Sequence, residues 1–263
     1  MRNSEENISL LHKKILPWGI PILLLISWQW IIKAGIISSR ILPAPSDVYV
    51  AAINLFQTGE LTHHVWISLW RASIGFLIGG TIGFVLGLLN GLFRFTELLL
   101  DTSIQMLRNI PHLALIPLVI LWFGIGEEAK VFLVALGVLF PIYLNTYHGI
   151  KSVDKGLIEM GKMYGLNGFS LFLNVIFPGA LSSILVGLRF SLGIMWITLI
   201  VAETISSTSG IGYMAMNARE FMRMDVIVLS ILLYALLGKL SDVIARFMET
   251  RWLKWHPSYH KHA

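Results

Sequence analysis

Two arginines stand inside stretches that are otherwise apolar, and they set the chemical question. Arg108 falls in 98–123 with Asp101, Gln105, Asn109 and His112, and Arg189 falls in 179–204. A charge held in hydrocarbon costs about 3 kcal/mol on insertion scales, so each must face protein, water or head groups. Pro111 and Pro117 each remove a backbone donor from the first stretch. Broken helices whose polar groups are freed in this way often line transport pathways. Arg108, Asn109 and Arg189 are therefore candidate pathway groups. The competing reading for Arg108 is a place near the inner membrane interface beside Asp101, seven residues earlier on nearly the same helix face. For Arg189, roughly 15 Å along a helix begun near Pro178, it is a buried pair with Asp101 or Asp242.

Other chemistry is absent from the pattern. No Ser-His-Asp or paired-carboxylate arrangement is placed for catalysis, and no G-x-x-x-x-G-K-[ST] phosphate loop occurs. Gly124-Ile125-Gly126-Glu127-Glu128-Ala129 follows an apolar helix instead of a strand, so it is an outer turn with Glu127 or Glu128 at the positive end of the next helix. There is no cysteine. His256, His260 and His262 on a tail with Pro257 are weak evidence for metal. The reading is a non-enzyme without a catalytic or metal site.

A second polar stretch lies between two apolar ones: Glu159-Met160-Gly161-Lys162-Met163-Tyr164-Gly165, running on to Phe177-Pro178. Residues 153–163 read as a short charged helix. Gly165 and Gly168 bracket Asn167 and supply the positive φ of a tight turn. An apolar helix then resumes through Leu171, Phe172, Leu173, Val175 and Ile176 until Pro178 interrupts it. This helix-turn-helix must lie along a membrane surface and face water and a partner.

The elements that position these residues follow from composition. With 56% hydrophobic and 13% charged residues and a mean hydropathy of +0.73, the chain belongs in a bilayer. About six spans, each near the roughly 20 residues needed to cross, fall at 15–33, 66–93, 98–123, 129–149, 179–204 and 224–247, within a single transmembrane domain over 1–263. The first is a retained span: no small-x-small cleavage site follows it, and Trp18, Trp28 and Trp30 suit an interface. A cytoplasmic N-terminus puts the richer share of Lys and Arg inside, so both termini and the 150–178 loop are cytoplasmic. The net charge of +5 then reflects inner loops, and nucleic acid is not a partner. Between the first two spans, Ser46 or Asp47 can cap an amphipathic outer helix carrying Val48, Ala51, Ala52, Leu55 and Phe56. Glu203 reads as an outer-interface residue, and Lys239, Asp242 and Arg246 as a self-satisfied cluster near the inner end. Gly75, Gly79, Gly83, Gly87 and Gly91 recur at every fourth position. Such a ladder sacrifices helix propensity and asks for close approach of another helix, of this chain or a second copy.

The polar loop resembles the cytoplasmic coupling loop of ABC-importer permeases, whose pattern is Glu-Ala-Ala, three residues, Gly, nine residues, then Ile-x-Leu-Pro. Glu159, Gly165, Val175, Phe177 and Pro178 fall on those positions, with Met160 and Gly161 in place of the alanines, Val175 of the isoleucine and Phe177 of the leucine. The resemblance covers nearly the whole chain after about residue 40. DTSIQMLRNIPHLALIP at 101–117, LWFGIG at 121–126, LFPIYLNT at 139–146, AETIS at 202–206, GIGY at 210–213 and MNAREF at 216–221 look like the bacterial aliphatic sulfonate permeases. These sit within the nitrate, sulfonate, taurine and bicarbonate branch. The resemblance implies an all-α type I importer fold, like that of methionine and molybdate importers. It also implies a homodimer, two cytoplasmic ABC ATPase subunits docked at Glu159, Met160, Gly161, Gly165 and Pro178, and an extracytoplasmic substrate-binding protein. ATP and magnesium would be bound by the ATPase, with no cofactor in this chain, and transport would proceed by alternating access in the bacterial inner membrane. Taurine, nitrate or another small anion is the alternative cargo, and an ion-coupled secondary transporter the alternative class.

Overall fold

The computed structural model describes residues 19–255 of the 263-residue chain, and all regular structure among them is helical. The order is α1 (Gly19–Lys33), α2 (Pro45–Gln57), α3 (Glu60–Leu92), α4 (Arg94–Arg108), a 3-10 turn (His112–Leu115), α5 (Ile116–Phe123), α6 (Glu127–Lys151), α7 (Lys155–Met163) and α8 (Gly168–Leu171). A π-helical turn (Phe172–Ile176), α9 (Phe177–Ser206), α10 (Ile211–Glu220) and α11 (Met224–Trp252) follow. Four segments are long and apolar enough to cross a membrane: α3, α6, Gly168–Ile205 and α11. The pair α4 and α5 makes a fifth only as one broken span. The first expected span begins outside the described residues, as does the histidine tail, and its described part, α1, is a shorter apolar helix.

The described chain divides into two compact units, 19–63 with Met214–Leu232, and His64–Tyr213 with 233–255. In the smaller unit, α2 starts at Ala44 with Pro45 in its first turn. Asp47 reaches back to accept from the Ala44 N–H at 3.2 Å, which is half of a capping box. The buried stripe is Val48, Ala51 and Leu55, at helical spacing, while Phe56 of the expected stripe is exposed.

The larger unit is built around α6, against which both α3 and α9 pack. Gly75, Gly79, Gly83 and Gly87 are buried on α3. A methyl group at Gly79 or Gly83 would run into the backbone of Ala135 or Leu139. At Gly75, Gly87 and Gly91 it would stand 2.6 Å from Val134 Cβ, 2.7 Å from Tyr143 O and 2.8 Å from Ile150 Cβ. The ladder therefore tracks one side of α6 through four turns, and only hydrogen side chains let the two backbones come so close. On its other side α6 meets α9, where Gly187 leaves room for Asn145 and the Pro141 carbonyl.

Two prolines fare differently against their sequence reading. Pro111 does break the third stretch, and α4 and the following helix meet at 78°. Pro178 does not interrupt its helix. Helical structure runs without a gap from Gly168 to Ser206, because the π turn just before the proline widens the backbone and relieves the missing donor.

Candidate functional site

The 150–178 segment is a helix, a turn and the root of a second helix. Asp154 caps α7, its carboxylate accepting from the Gly156 N–H at 2.7 Å. Gly165 and Gly168 turn the chain with φ of 83° and 50°, a conformation that costs other residues about 1–2 kcal/mol. Gly161 is buried at the hinge, where a methyl group would lie 2.9 Å from Leu171 Cδ1 and 3.1 Å from Val175 Cγ2. The α7 helix thus folds flat on the π turn.

This small unit is anchored to two of the long helices. Ile150 and Val153 pack with Ala180 and Ile184 of α9, and Ile158 of α7, Phe177 and Leu92 of α3 close over them. Displacing α7 must therefore displace the roots of α6 and α9. Its outer face remains open: Glu159, Leu157, Met160, Met163 and Tyr164 are exposed, with Phe169 beside them. Pro178 sits in the first turn of α9 and is partly buried.

The pathway candidates are scattered. Arg108 and Asn109 end α4 at the break and are exposed. Asp101 is not a partner of Arg108. Its Oδ1 accepts from Tyr143 Oη at 2.8 Å, and Asn90 Nδ2 donates to the same hydroxyl at 2.8 Å. Nearby, Glu97 accepts from Tyr147 Oη at 2.7 Å and Lys151 Nζ at 2.8 Å, which ties α4 to the end of α6. Arg189 is paired with Asp242 (2.7 Å), one of the two partners expected for it, and lies 3.7 Å from Glu249.

The most developed polar cluster involves residues that the sequence reading undervalued. Arg71 of α3 is fully buried and uses its whole guanidinium. Nε and Nη2 donate to Glu127 at 2.5 and 2.6 Å, while Nη1 donates to Glu203 at 2.8 Å and to the Ser209 carbonyl at 2.7 Å. Nη2 also reaches Ser209 Oγ at 2.9 Å. Glu203 is not an interface residue but a buried hub, accepting from Ser68 Oγ, the Gly212 N–H and Tyr234 Oη at 2.8–2.9 Å. Lys130 approaches Glu127 at 3.2 Å. Two cations and two carboxylates thus bind α3, α6, α9 and α11 to the loop before α10. The sequence signal was present, since Arg71, Lys130 and Glu203 each fall within an apolar stretch. What could not be read was the pairing across 132 residues between Arg71 and Glu203.

Comparison with known proteins matches this architecture. The family model described as "Binding-protein-dependent transport system inner membrane component" matches residues 79–254. The chain is 62% identical over 247 residues to the aliphatic sulfonates transport permease protein SsuC of Escherichia coli (strain K12), covering 94% of both. It is 44% identical to SsuC of Bacillus subtilis (strain 168) over 240 residues, 91% of this chain and 87% of that one. Among solved structures, an amino acid ABC transporter superposes with a TM-score of 0.60 at 17% identity, covering 77% of this chain and 96% of its own. The inward-facing MetNI methionine ABC transporter superposes at 0.52 and 21%, covering 72% and 96%. These structures give the fold, that of a type I ABC-importer permease. With a family model matched over most of its length and a close likeness to permeases over nearly its full length, the chain belongs to the inner-membrane components of binding-protein-dependent transport systems, a permease and not an enzyme.

Proposed function

We propose that this chain is the permease subunit of an ATP-driven importer of aliphatic sulfonates, acting as a homodimer with two cytoplasmic ATPase subunits and an extracytoplasmic binding protein. The observation that carries the coupling mechanism is the exposed α7 face, with Glu159, Met160 and Met163, on a helix locked to α6 and α9 through Val153 and Ile158. Closure of the ATPase pair moves α7, and α7 moves the roots of the long helices, so that access alternates. Gly161 and Gly165 set the angle of α7, and Pro178 starts α9 above it. Both termini and α7 share the cytoplasmic side. Support for the cargo is the identity to the two SsuC proteins over nearly their full lengths. A sulfonate stays anionic throughout the physiological range, so its path needs cations or donors, and Arg189, Arg108 and Asn109 supply them.

The test is uptake of a labelled alkanesulfonate into proteoliposomes holding this chain, its ATPase and its binding protein. Uptake is expected only with ATP on the ATPase side, and to be lost when Glu159 and Gly165 are both disrupted. ATP-driven uptake of taurine or nitrate in place of alkanesulfonates would keep the machinery and change the cargo. Uptake without the ATPase would replace this reading with a secondary transporter.

A further inference from the structure

One strip of charge is used neither by α7 nor by the buried Arg71 cluster. On α11, Lys239, Asp242, Arg246 and Glu249 follow at spacings of three and four, which places them on one side of the helix. Arg189 of α9 faces them. Asp242 Oδ1 lies 2.7 Å from Arg189 Nη2, and its Oδ2 lies 3.0 Å from Arg246 Nε and 3.6 Å from Lys239 Nζ. Glu249 is 3.7 Å from Arg189. Three cations thus meet two carboxylates, which leaves one positive charge in excess.

Depth makes this arrangement informative. Counted from the inner limits of the spans read in the sequence, 179 and 247, Arg189 lies about 15 Å in, Lys239 about 12 Å, Asp242 about 8 Å and Arg246 about 2 Å. Arg189 and Lys239 thus fall within a hydrocarbon core of roughly 30 Å, and Arg246 near its inner edge. Yet the side chains of Lys239 and Arg246 are 65% and 59% exposed, and that of Arg189 is 38% exposed. A cation as deep as Arg189 or Lys239 cannot face lipid without a cost of up to about 3 kcal/mol, whereas Arg246 reaches the head groups. Leu236, Leu240 and Phe247, exposed apolar residues of α11, centre about a third of a turn from the charged strip, with exposed Val243 between them and Lys239. Lipid suits that side, while the side carrying Asp242 and Glu249 faces Arg189 of α9.

A cavity of about 420 Å³ opens here, lined by Val186, Arg189, Phe190, Gly193, Asp242 and Glu249. A methyl group at Gly193 would touch nothing within 4 Å, so the space continues past it. One wall is apolar and the other carries a guanidinium, which suits a molecule with an alkyl tail and an anionic head. We infer that Arg189, flanked by Lys239 and Arg246, receives the sulfonate head of the cargo as it crosses. Asp242 is its stand-in, holding the guanidinium when the cavity is empty of cargo. This inference rests on the proposed cargo class.

Physical chemistry gives the exchange its use. A sulfonate offers several acceptor oxygens to the planar guanidinium fork, as a carboxylate does. Replacing Asp242 by cargo therefore swaps one oxyanion for another, and the guanidinium keeps an anionic partner throughout the exchange. Competition from Asp242 also keeps the cargo weakly held, which passage through a membrane requires.

The experiment compares Arg189→Met, Asp242→Asn and the double variant in the reconstituted complex, with Arg189→Lys as the conservative control. A structural pair and a cargo contact make opposite predictions. If Arg189 meets the cargo, Arg189→Met lowers ATP-driven uptake about tenfold or more. Removing Asp242 as well does not restore it, and Arg189→Lys recovers part of it. Asp242→Asn alone raises the affinity of the detergent-solubilised permease–ATPase complex for ethanesulfonate several-fold, measured by equilibrium binding without the binding protein. Recovery of uptake in the double variant, or unchanged ethanesulfonate affinity in Asp242→Asn, overturns the inference while leaving the importer reading intact. A wild-type complex that imports no sulfonate overturns both.

Discussion

Replacing Glu203 with alanine should destabilise the permease more than almost any other single side-chain deletion. Glu203 is fully buried and accepts from four donors: Ser68 Oγ and Arg71 Nη1 at 2.8 Å, and the Gly212 N–H and Tyr234 Oη at 2.9 Å. Its carboxylate also fills the space where a side chain at Gly210 would stand, and its Cβ the space at Gly212. Removing it leaves an arginine that is 1% exposed with one carboxylate in place of two. Breaking one partner out of a buried ion pair costs about 3–5 kcal/mol. The bidentate bond from Arg71 to Glu127 survives, which favours the lower end of that range. At about 2–4 °C per kcal/mol for a chain of this size, the unfolding midpoint should fall by about 6–12 °C. The assay is thermal unfolding of the purified protein in detergent, with Glu203→Gln expected between alanine and wild type. Pairing is tested separately by Arg71→Met, Glu203→Leu and their combination, where the double variant should be less damaged than the sum by about 2 kcal/mol. A midpoint shift for Glu203→Ala below about 2 °C, or strictly additive single effects, would refute the claim that this cluster holds the helices together.

Three further outcomes are expected. Gly79→Ala should destabilise by about 1–3 kcal/mol through overpacking against the Ala135 backbone. Gly238→Ala, where a methyl group meets nothing within 4 Å, should be neutral or stabilising by up to about 1 kcal/mol; detergent unfolding of the two variants side by side reads the difference. Met163→Glu, at a side chain 88% exposed on α7, should leave the unfolding midpoint unchanged and reduce the amount of ATPase that co-purifies. Tyr143→Phe removes the hydroxyl that joins Asn90 to Asp101. It leaves the buried Asn90 amide without its acceptor, at a cost of about 1–3 kcal/mol; a midpoint equal to wild type would show that water replaces that hydroxyl.

Much of the membrane architecture was legible because lipid imposes local rules. A helix in hydrocarbon must satisfy its own backbone, so long apolar runs mark their spans directly. The break at Pro111 and the turn at Gly165 and Gly168 were readable for the same reason, since proline and glycine act on the backbone at their own positions. The helical continuity through Pro178 was not readable. It depends on a π turn at Phe172–Ile176, whose extra residue per turn leaves no mark in the hydrophobic pattern. Likewise the glycine ladder announced a close neighbour without naming it, because spacing describes one helix surface and says nothing of what meets that surface.

The sequence alone determined the membrane class, the turn geometry of the α7 segment and the lack of a nucleotide-binding loop. Each of these depends on residues within a few positions of one another. Only the tertiary structure decided that α6 receives the glycines, that Asp101 serves Tyr143 and not Arg108, that Arg189 meets Asp242 and not Asp101, and that Arg71 and Glu203 share one buried cluster. Those choices join residues separated by 42 to 132 positions. Charge and polarity state that a buried group needs a partner, but which partner it finds is set by the packing of whole helices, to which no local pattern has access.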